Sequence, residues 1–173
     1  MSCPAIRERV CKYIIRELRA TLVMDLGCGA GVYGRELKSI DPRVEMIGLD
    51  GCLKYLGSVF CQQLYKVLIK ADVWDYLREL VRTVRPDVIL FMDVLEHLEK
   101  EPGREALRLL KAKGTPVLLS TPLFNYPQGA VDGNELERHR CWWSQEELEA
   151  EGFKLLFKED WNGEGDIGAF RFG

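Results

Sequence analysis

The sequence predicts a doubly wound α/β domain, in which helices cover both faces of a parallel sheet. Short apolar runs alternate with segments of helical periodicity along nearly the whole chain. The apolar runs are almost uninterrupted, as is typical of strands that are buried on both faces. Together, the alternation and the continuous apolar runs favour a parallel sheet over a sandwich or a helical bundle.

The predicted strands are the short apolar runs, and most of them end at Asp, Gly or Pro. They cover residues 21–26, 44–49, 65–69, 86–92, 116–120, 153–157 and 167–172. A helical segment separates each strand from the next except at the end of the chain. The last two strands have no helix between them, so we expect an antiparallel hairpin through residues 161–166.

Six segments carry apolar residues at helical spacing or signals that cap a helix. The first, 6–18, has an apolar stripe, and Pro4 suits its first turn. The last, 144–151, opens with a capping box of Ser144 and Glu147. The helices between them are predicted at 34–40, 53–60, 74–84 and 103–112. The segment 121–141 carries no period, and loops of this length in compact domains are often functional.

Length and composition indicate one globular domain, 1–173, with an N-terminal helix in 1–20. The segment 121–143 follows the fifth strand, so we expect it to fold over the adjacent edge of the sheet as a substrate lid. The net charge of −3 argues against a protein that coats DNA or RNA, so no nucleic-acid partner is expected. The sequence has neither a membrane span nor a signal-peptide core, which predicts a cytoplasmic protein. The six cysteines have no CxxC spacing, so a zinc site of the usual kind is not expected.

The most informative segment is DLGCGAG at 25–31, between the first strand and the next helix. Glycines let the backbone approach a ligand, and ligands of doubly wound sheets bind beyond the carboxyl ends of the strands. Asp50 ends the second strand, nineteen residues after Gly31, a spacing typical of a carboxylate that binds a ribose. Asp72 follows the third strand, where a carboxylate can accept a hydrogen bond from an adenine amino group. Asp25, Asp50 and Asp72 are therefore expected at one edge of the sheet.

Other interpretations of this segment stay open. Residues 29–34 also satisfy GxGxxG, the fingerprint of dinucleotide-binding domains. Asp25 precedes the glycines, and a carboxylate there suits a ligand with an ammonium group better than a pyrophosphate. The glycines alone also fit an ordinary turn, and Asp72 alone fits a helix N-cap.

These segments resemble the motifs of class I S-adenosylmethionine-dependent methyltransferases of the small-molecule, ubiquinone-type group. Residues 25–31, 48–50, 71–72 and 86–98 resemble the first four motifs, 114–122 is similar to the fifth strand region, and the likeness spans about 20–160. The resemblance implies a Rossmann-like, seven-stranded sheet in the order 3-2-1-4-5-7-6, with strand 7 antiparallel. It implies S-adenosylmethionine as cofactor. The residues expected to bind it are Asp25, Gly27, Cys28, Gly29, Gly31, Asp50, Gly51, Asp72, Val73 and Asp93.

The acceptor side is predicted from two segments that follow the fourth and fifth strands. Asp93, Glu96 and His97 share one face if they are helical. We predict Asp93, His97 and His139 as catalytic residues that line the acceptor pocket. The run 93–97 is similar to a segment that carries metal-binding acidic residues and a histidine in ubiquinone-type O-methyltransferases. A structural role at a helix N-terminus is the alternative, and no metal ligand is assigned.

The segment 139–153 resembles the stretch of small-molecule methyltransferases in which the lid leads into the next helix. The expected function is methyl transfer from S-adenosylmethionine to a small molecule, with an oxygen, nitrogen or carbon acceptor left open. The alternatives are a non-catalytic partner subunit that binds S-adenosylmethionine and an NAD-dependent oxidoreductase. A homodimer is also left open.

Overall fold

The structure, a computed structural model, describes residues 3–79 and 85–173, and within them seven strands form one sheet. The strand order is β3-β2-β1-β4-β5-β7-β6. Strand β7 is antiparallel to β5 and β6, and the other neighbours are parallel. The strands are β1 (Leu22–Leu26), β2 (Glu45–Asp50), β3 (Val67–Lys70), β4 (Val88–Met92), β5 (Val117–Pro122), β6 (Lys154–Asp160) and β7 (Asp166–Phe172). The fold class, the strand order and the antiparallel last strand are confirmed.

The helices lie on both faces of this sheet. They are α1 (Pro4–Tyr13), α2 (Val32–Ile40), α3 (Leu53–Leu56), α4 (Val59–Leu64), α5 (Val73–Glu79), α6 (Lys100–Ala112) and α7 (Gln145–Ala150). A turn of π-helix, Ile14–Leu18, continues α1. Short 3-10 helices cover Leu95–His97 and Glu135–Glu137. No described helix has the length and apolarity that a membrane span requires.

Several element boundaries differ from the prediction for local reasons. The helix predicted at 53–60 is two helices, because Ser58 is extended and its side chain caps α4 through the Cys61 N–H. Helix α4 then continues to Leu64, so the third strand begins at Val67 rather than at residue 65. Helix α6 begins at Lys100, with Pro102 in its first turn. Residues 80–84 of the helix predicted at 74–84 lie outside the described residues.

Alternate residues of the strands pack into two apolar layers. In β1, Val23 belongs to the layer beneath α1 and α2, whereas Met24 and Leu26 belong to the layer beneath α6. The parallel strands end at one edge of the sheet, where Leu26 pairs with Leu49 and Asp50 with Lys70. That edge therefore brings the ends of β1, β2, β3 and β4 together, as the sequence predicts.

Candidate active site

A cavity of about 330 Å³ opens at the carboxyl ends of β1 to β4. Seven of the ten residues expected to bind a cofactor contribute to its walls: Gly27, Gly29, Asp50, Gly51, Asp72, Val73 and Asp93. The other walls come from the start of α5, the segment between β4 and α6, the start of α6 and the segment after β5. They are Trp74, Val94, His97, Leu98, Glu99, Pro102, Asn134, Leu136, Glu137 and Arg140.

The glycine turn presents its backbone to this cavity. The φ angles of Gly27, Gly29 and Gly31 are +80°, +50° and +78°, values that L side chains rarely adopt. The Gly27 and Cys28 N–H groups both donate to the Leu49 carbonyl, at 2.8 and 2.9 Å, which fixes the turn against β2. A Cβ on Gly29 would meet no atom within 4 Å, so its backbone faces open space.

Asp50 and Asp72 are held by backbone donors at the cavity wall. The Asp50 oxygens accept hydrogen bonds from the Gly29 N–H at 2.8 Å and the Cys52 N–H at 2.7 Å. Burial raises the pKa of Asp50, and these two hydrogen bonds oppose that shift. Asp72 accepts from the Trp74 N–H at 2.7 Å at the start of α5, so it caps this helix and also lines the cavity. Each Asp50 oxygen keeps a second lone pair for a ligand hydroxyl.

Asp25 lies beneath the glycine turn rather than in the cavity wall. Its side chain is buried, and Oδ2 accepts a hydrogen bond of 2.6 Å from the Tyr65 hydroxyl. Burial raises the pKa of Asp25 to about 7. The charge of Asp50 also raises it, whereas the hydrogen bond from Tyr65 lowers it. Cys28 and Gly31 are also absent from the residues that line the cavity. The structure thus places Asp25 behind the turn with Tyr65, which sequence analysis predicts only as the first residue of a strand, whereas Cys28 and Gly31 belong to the turn itself without lining the cavity.

A second cavity, of about 60 Å³, shares Asp93, His97 and Glu137 with the first. Its remaining walls are Glu96, Pro122, Tyr126, Gln128, His139, Trp161 and Ile167. The three predicted catalytic residues therefore meet in this smaller cavity. Their grouping does not come from a shared helix face, because Asp93 has a φ of +54° and only Leu95–His97 form a 3-10 turn. The helical geometry expected for this run is wrong.

The two histidines are oriented by backbone carbonyls. His97 Nδ1 lies 3.2 Å from the Arg138 oxygen, and His139 Nδ1 lies 2.6 Å from the Tyr126 oxygen. A carbonyl only accepts, so each Nδ1 donates and each Nε2 keeps a free lone pair. Burial lowers the pKa of both imidazoles, which are therefore neutral near pH 7. The ring centroids lie 4.9 Å apart.

Two carboxylates complete this cluster. Glu96 is buried, and its Oε2 accepts from the Thr121 hydroxyl at 3.0 Å. Burial, followed by the neighbouring Asp93 charge, raises the pKa of Glu96. Asp93 Oδ1 accepts from the Ser120 hydroxyl at 2.6 Å, whereas Oδ2 is buried and has no hydrogen-bond partner among the described residues. A buried carboxylate oxygen without a donor is costly, which is typical of a group that a ligand completes.

Side-chain ligand atoms of Glu96, His97 and His139 all lie within 4.8 Å of one another. Two imidazole nitrogens and one carboxylate oxygen form a donor set that suits divalent transition metals. Sequence analysis assigns no metal ligand, so this candidate cation site comes from the structure.

The segment expected as a lid lies against both cavities. Asn134, Leu136, Glu137 and Arg140 line the larger cavity, and the Arg140 N–H donates to the Glu96 carbonyl at 2.8 Å. These residues carry no sequence period, so sequence analysis predicts the segment but not the individual contacts.

Comparison with known proteins identifies the family. The family model described as a methyltransferase domain matches residues 5–155. The methyltransferase domain of bacterial CtHen1 has a TM-score of 0.64 and 18% identity, over 96% of this chain and 97% of that chain. A SAM-dependent methyltransferase from Archaeoglobus fulgidus has a TM-score of 0.64 and 21% identity, over 96% and 92%.

A third solved structure, the N-terminal domain of EvdMO1 with SAH and D-fucose, has a TM-score of 0.66 and 20% identity, over 97% of this chain and 81% of that chain. No curated protein sequence matches this chain. The chain is therefore a member of the methyltransferase-domain family, and its fold is that of solved SAM-dependent methyltransferases.

Proposed function

We propose that this chain methylates a hydroxyl group of a small molecule, with S-adenosylmethionine bound in the larger cavity and the acceptor in the smaller one. The observation that carries the proposal is the meeting of Asp93, Glu96, His97 and His139 where the two cavities join. Asp93 belongs to both cavities, so it lies where donor and acceptor would meet.

The donor is assigned to the larger cavity by its wall chemistry. The open backbone at Gly29 would receive the methionine part, with the Asp25 charge beneath it. The free lone pairs of Asp50 would accept from the ribose hydroxyls, and Asp72 with Val73 would contact the adenine. Cys28 and Gly31 would shape the turn.

The acceptor is assigned by the protonation chemistry of the smaller cavity. The donor sulfonium is already activated, so the protein must align the acceptor and exclude water. A hydroxyl must also lose its proton, and the free Nε2 atoms of His97 and His139 can accept one. The described residues in the walls of the smaller cavity include the carboxyl groups of Asp93, Glu96 and Glu137 but no lysine or arginine, which favours a neutral or cationic acceptor over an anion.

A divalent cation is the alternative occupant of this cluster, with Glu96, His97 and His139 as its ligands; the two imidazole nitrogens would then bind the ion rather than accept a proton. When bound, such an ion polarises a coordinated hydroxyl and lowers its pKa. Ser120 and Thr121 orient the two carboxyl groups through their hydroxyls. The carbonyls of Tyr126 and Arg138 orient the two rings.

A second candidate acceptor is a small RNA. The structural neighbour HEN1 is described as a small RNA methyltransferase, with a TM-score of 0.65 and 19% identity. On this chain, Arg140 lines the larger cavity, and Arg138 and Trp142 are exposed on the same segment. Arginine side chains bind phosphates and tryptophan rings stack on bases, which is the observation that favours this acceptor.

The test is transfer of a labelled methyl group from S-adenosylmethionine, with and without divalent cations, to pools of small hydroxyl compounds and of small RNAs. A His139→Ala variant should lose transfer, whereas the matched control Lys113→Ala, at the far end of α6, should keep it. Label in a small molecule supports the proposal, and label only in RNA favours the second candidate. Tight S-adenosylhomocysteine binding without any transfer overturns both and favours a non-catalytic subunit.

A further inference from the structure

Tyr65 fills the space beneath the glycine turn. A Cβ on Gly31, Gly34 or Gly48 would lie 3.2, 2.9 or 2.7 Å from the Tyr65 ring. Three glycines on the turn, α2 and β2 thus surround one buried aromatic ring. Because these glycines carry no side chains, the ring determines how closely the turn approaches β2.

The Tyr65 hydroxyl also reaches the carboxyl group behind the turn. It donates to Asp25 Oδ2 at 2.6 Å, and Asp25 is 2% exposed. A hydrogen bond donated to a carboxylate favours its charged form, whereas burial favours the neutral form. Tyr65 therefore opposes the larger effect of burial on Asp25.

Of the described residues, Asp50 and the nearby cysteines supply no compensating positive charge to Asp25. The Asp50 carboxylate disfavours ionisation of Asp25. The thiols of Cys11, Cys28 and Cys61 are protonated, because burial raises the pKa of each. Arg7 and Glu36 lie beyond Cys11 and form an ion pair of 3.7 Å with each other. The Tyr65 hydroxyl is thus the group shown to donate to this carboxylate.

We propose that Tyr65 is a positioning residue for the cofactor, and that the Tyr65 hydrogen bond favours the charged form of Asp25 behind the turn that receives the methionine part. This inference rests on the proposed function, since it assumes that S-adenosylmethionine binds at Gly27 and Gly29. Asp25 is buried, so its charge acts through the thin glycine backbone on the ligand ammonium in a medium of low dielectric constant. The Tyr65 ring packs against the turn, and the Tyr65 hydroxyl stabilises the charged form of Asp25 through its hydrogen bond.

The inference separates two ligands that share an adenosine moiety. S-Adenosylhomocysteine carries the ammonium group, and 5′-methylthioadenosine lacks the whole amino-acid part. Tyr65→Phe keeps the ring and removes the hydroxyl. We expect it to weaken S-adenosylhomocysteine binding about tenfold at neutral pH and to change methylthioadenosine binding less than about twofold. The matched control Tyr76→Phe, on α5, should leave both affinities unchanged.

The pH profile distinguishes a charge effect from loosened packing. In the wild type, S-adenosylhomocysteine affinity should fall as pH drops through the pKa of Asp25, about 7, whereas methylthioadenosine affinity should stay level. The ligand ammonium keeps its proton across this acid range, so its own titration limits binding only on the alkaline side. Tyr65→Phe should move the acid limb to higher pH, and Asp25→Asn should abolish it.

The inference is overturned if Tyr65→Phe weakens the affinities for both ligands equally. It is also overturned if the pH at which S-adenosylhomocysteine affinity falls is the same in Tyr65→Phe as in the wild type. If the variant does not fold, the wild type alone decides, because a pH-independent ratio of the two affinities overturns it as well. If the protein transfers methyl groups but the ratio of the two affinities does not change with pH, the inference about Tyr65 and Asp25 is wrong and the proposed function stands. If neither ligand binds the wild type, the proposed function fails together with this inference.

Discussion

Replacing Gly29 by alanine tests whether the open space at the glycine turn belongs to the cofactor. The added Cβ would meet no protein atom within 4 Å, so the substitution removes no contact and makes no collision within the chain. The φ angle of +50° imposes a cost on any residue with a Cβ. That cost is about 1–2 kcal/mol, which lowers the melting temperature of a domain of this size by about 2–8 °C.

The effect on ligand binding should be larger than the effect on folding. A methyl group placed in a filled contact layer costs about 1–3 kcal/mol, which corresponds to an increase in Kd of about 5- to 150-fold. The added methyl lies in empty space without the cofactor and would contact the methionine part with it. We therefore expect the added methyl group to weaken cofactor binding by more than it destabilises the free protein.

Gly163→Ala is the matched control, because Gly163 has a φ of +78° and its Cβ would also meet nothing within 4 Å. It lies in the exposed β6–β7 turn, away from both cavities. Isothermal titration with S-adenosylhomocysteine and thermal melts of the free proteins are the two measurements. Both variants should melt earlier, and only Gly29→Ala should bind weakly. Equal affinities in the two variants would refute the placement of the cofactor at Gly29.

Three further predictions concern the carboxylates and the histidine cluster. Asp50→Asn should weaken S-adenosylhomocysteine binding by about 1–3 kcal/mol, because charged hydrogen bonds are lost. The control Asp75→Asn, on the exposed start of α5, should leave this affinity unchanged. An unchanged affinity in Asp50→Asn would contradict the assignment of Asp50 to the ribose. Mn²⁺ should raise the melting temperature of the wild type but not of His139→Ala, and an equal shift in both would exclude this cation site. Asp25→Asn should be more stable than the wild type, increasingly so as pH rises from about 4 to about 7. The folded-state pKa of Asp25 is raised to about 7, so in that window the unfolded wild type ionises Asp25 while the folded protein keeps the proton, and wild-type stability falls as pH rises. A stability difference that does not change with pH would contradict the raised pKa.

The sheet was predictable because its strands are continuous apolar runs that end in Asp or Gly. The same strand ends place Gly27, Gly29, Asp50, Asp72 and Asp93 in one cavity, since parallel strands finish at one edge.

The remaining site residues depend on tertiary packing. Nothing in the sequence near Tyr65 indicates that its ring lies among three glycines from other elements. Helical spacing suggests a shared face for Asp93 and His97, but Asp93 takes a φ of +54° as β4 ends. Leu136 and Arg140 lie in a segment without periodicity, so only the segment itself was predictable.

The contact between Leu136 and the end of β2 has a kinetic consequence. A Cβ on Gly51 would lie 2.5 Å from Leu136 Cδ1, so an aliphatic side chain of the lid rests on the backbone of the cavity floor. Should S-adenosylmethionine bind in this cavity, exchange of donor and product past Leu136 would require this side chain to move outward. Exchange of nucleoside, rather than the displacement at carbon, would then limit turnover, and accumulating product would compete strongly with the next donor molecule.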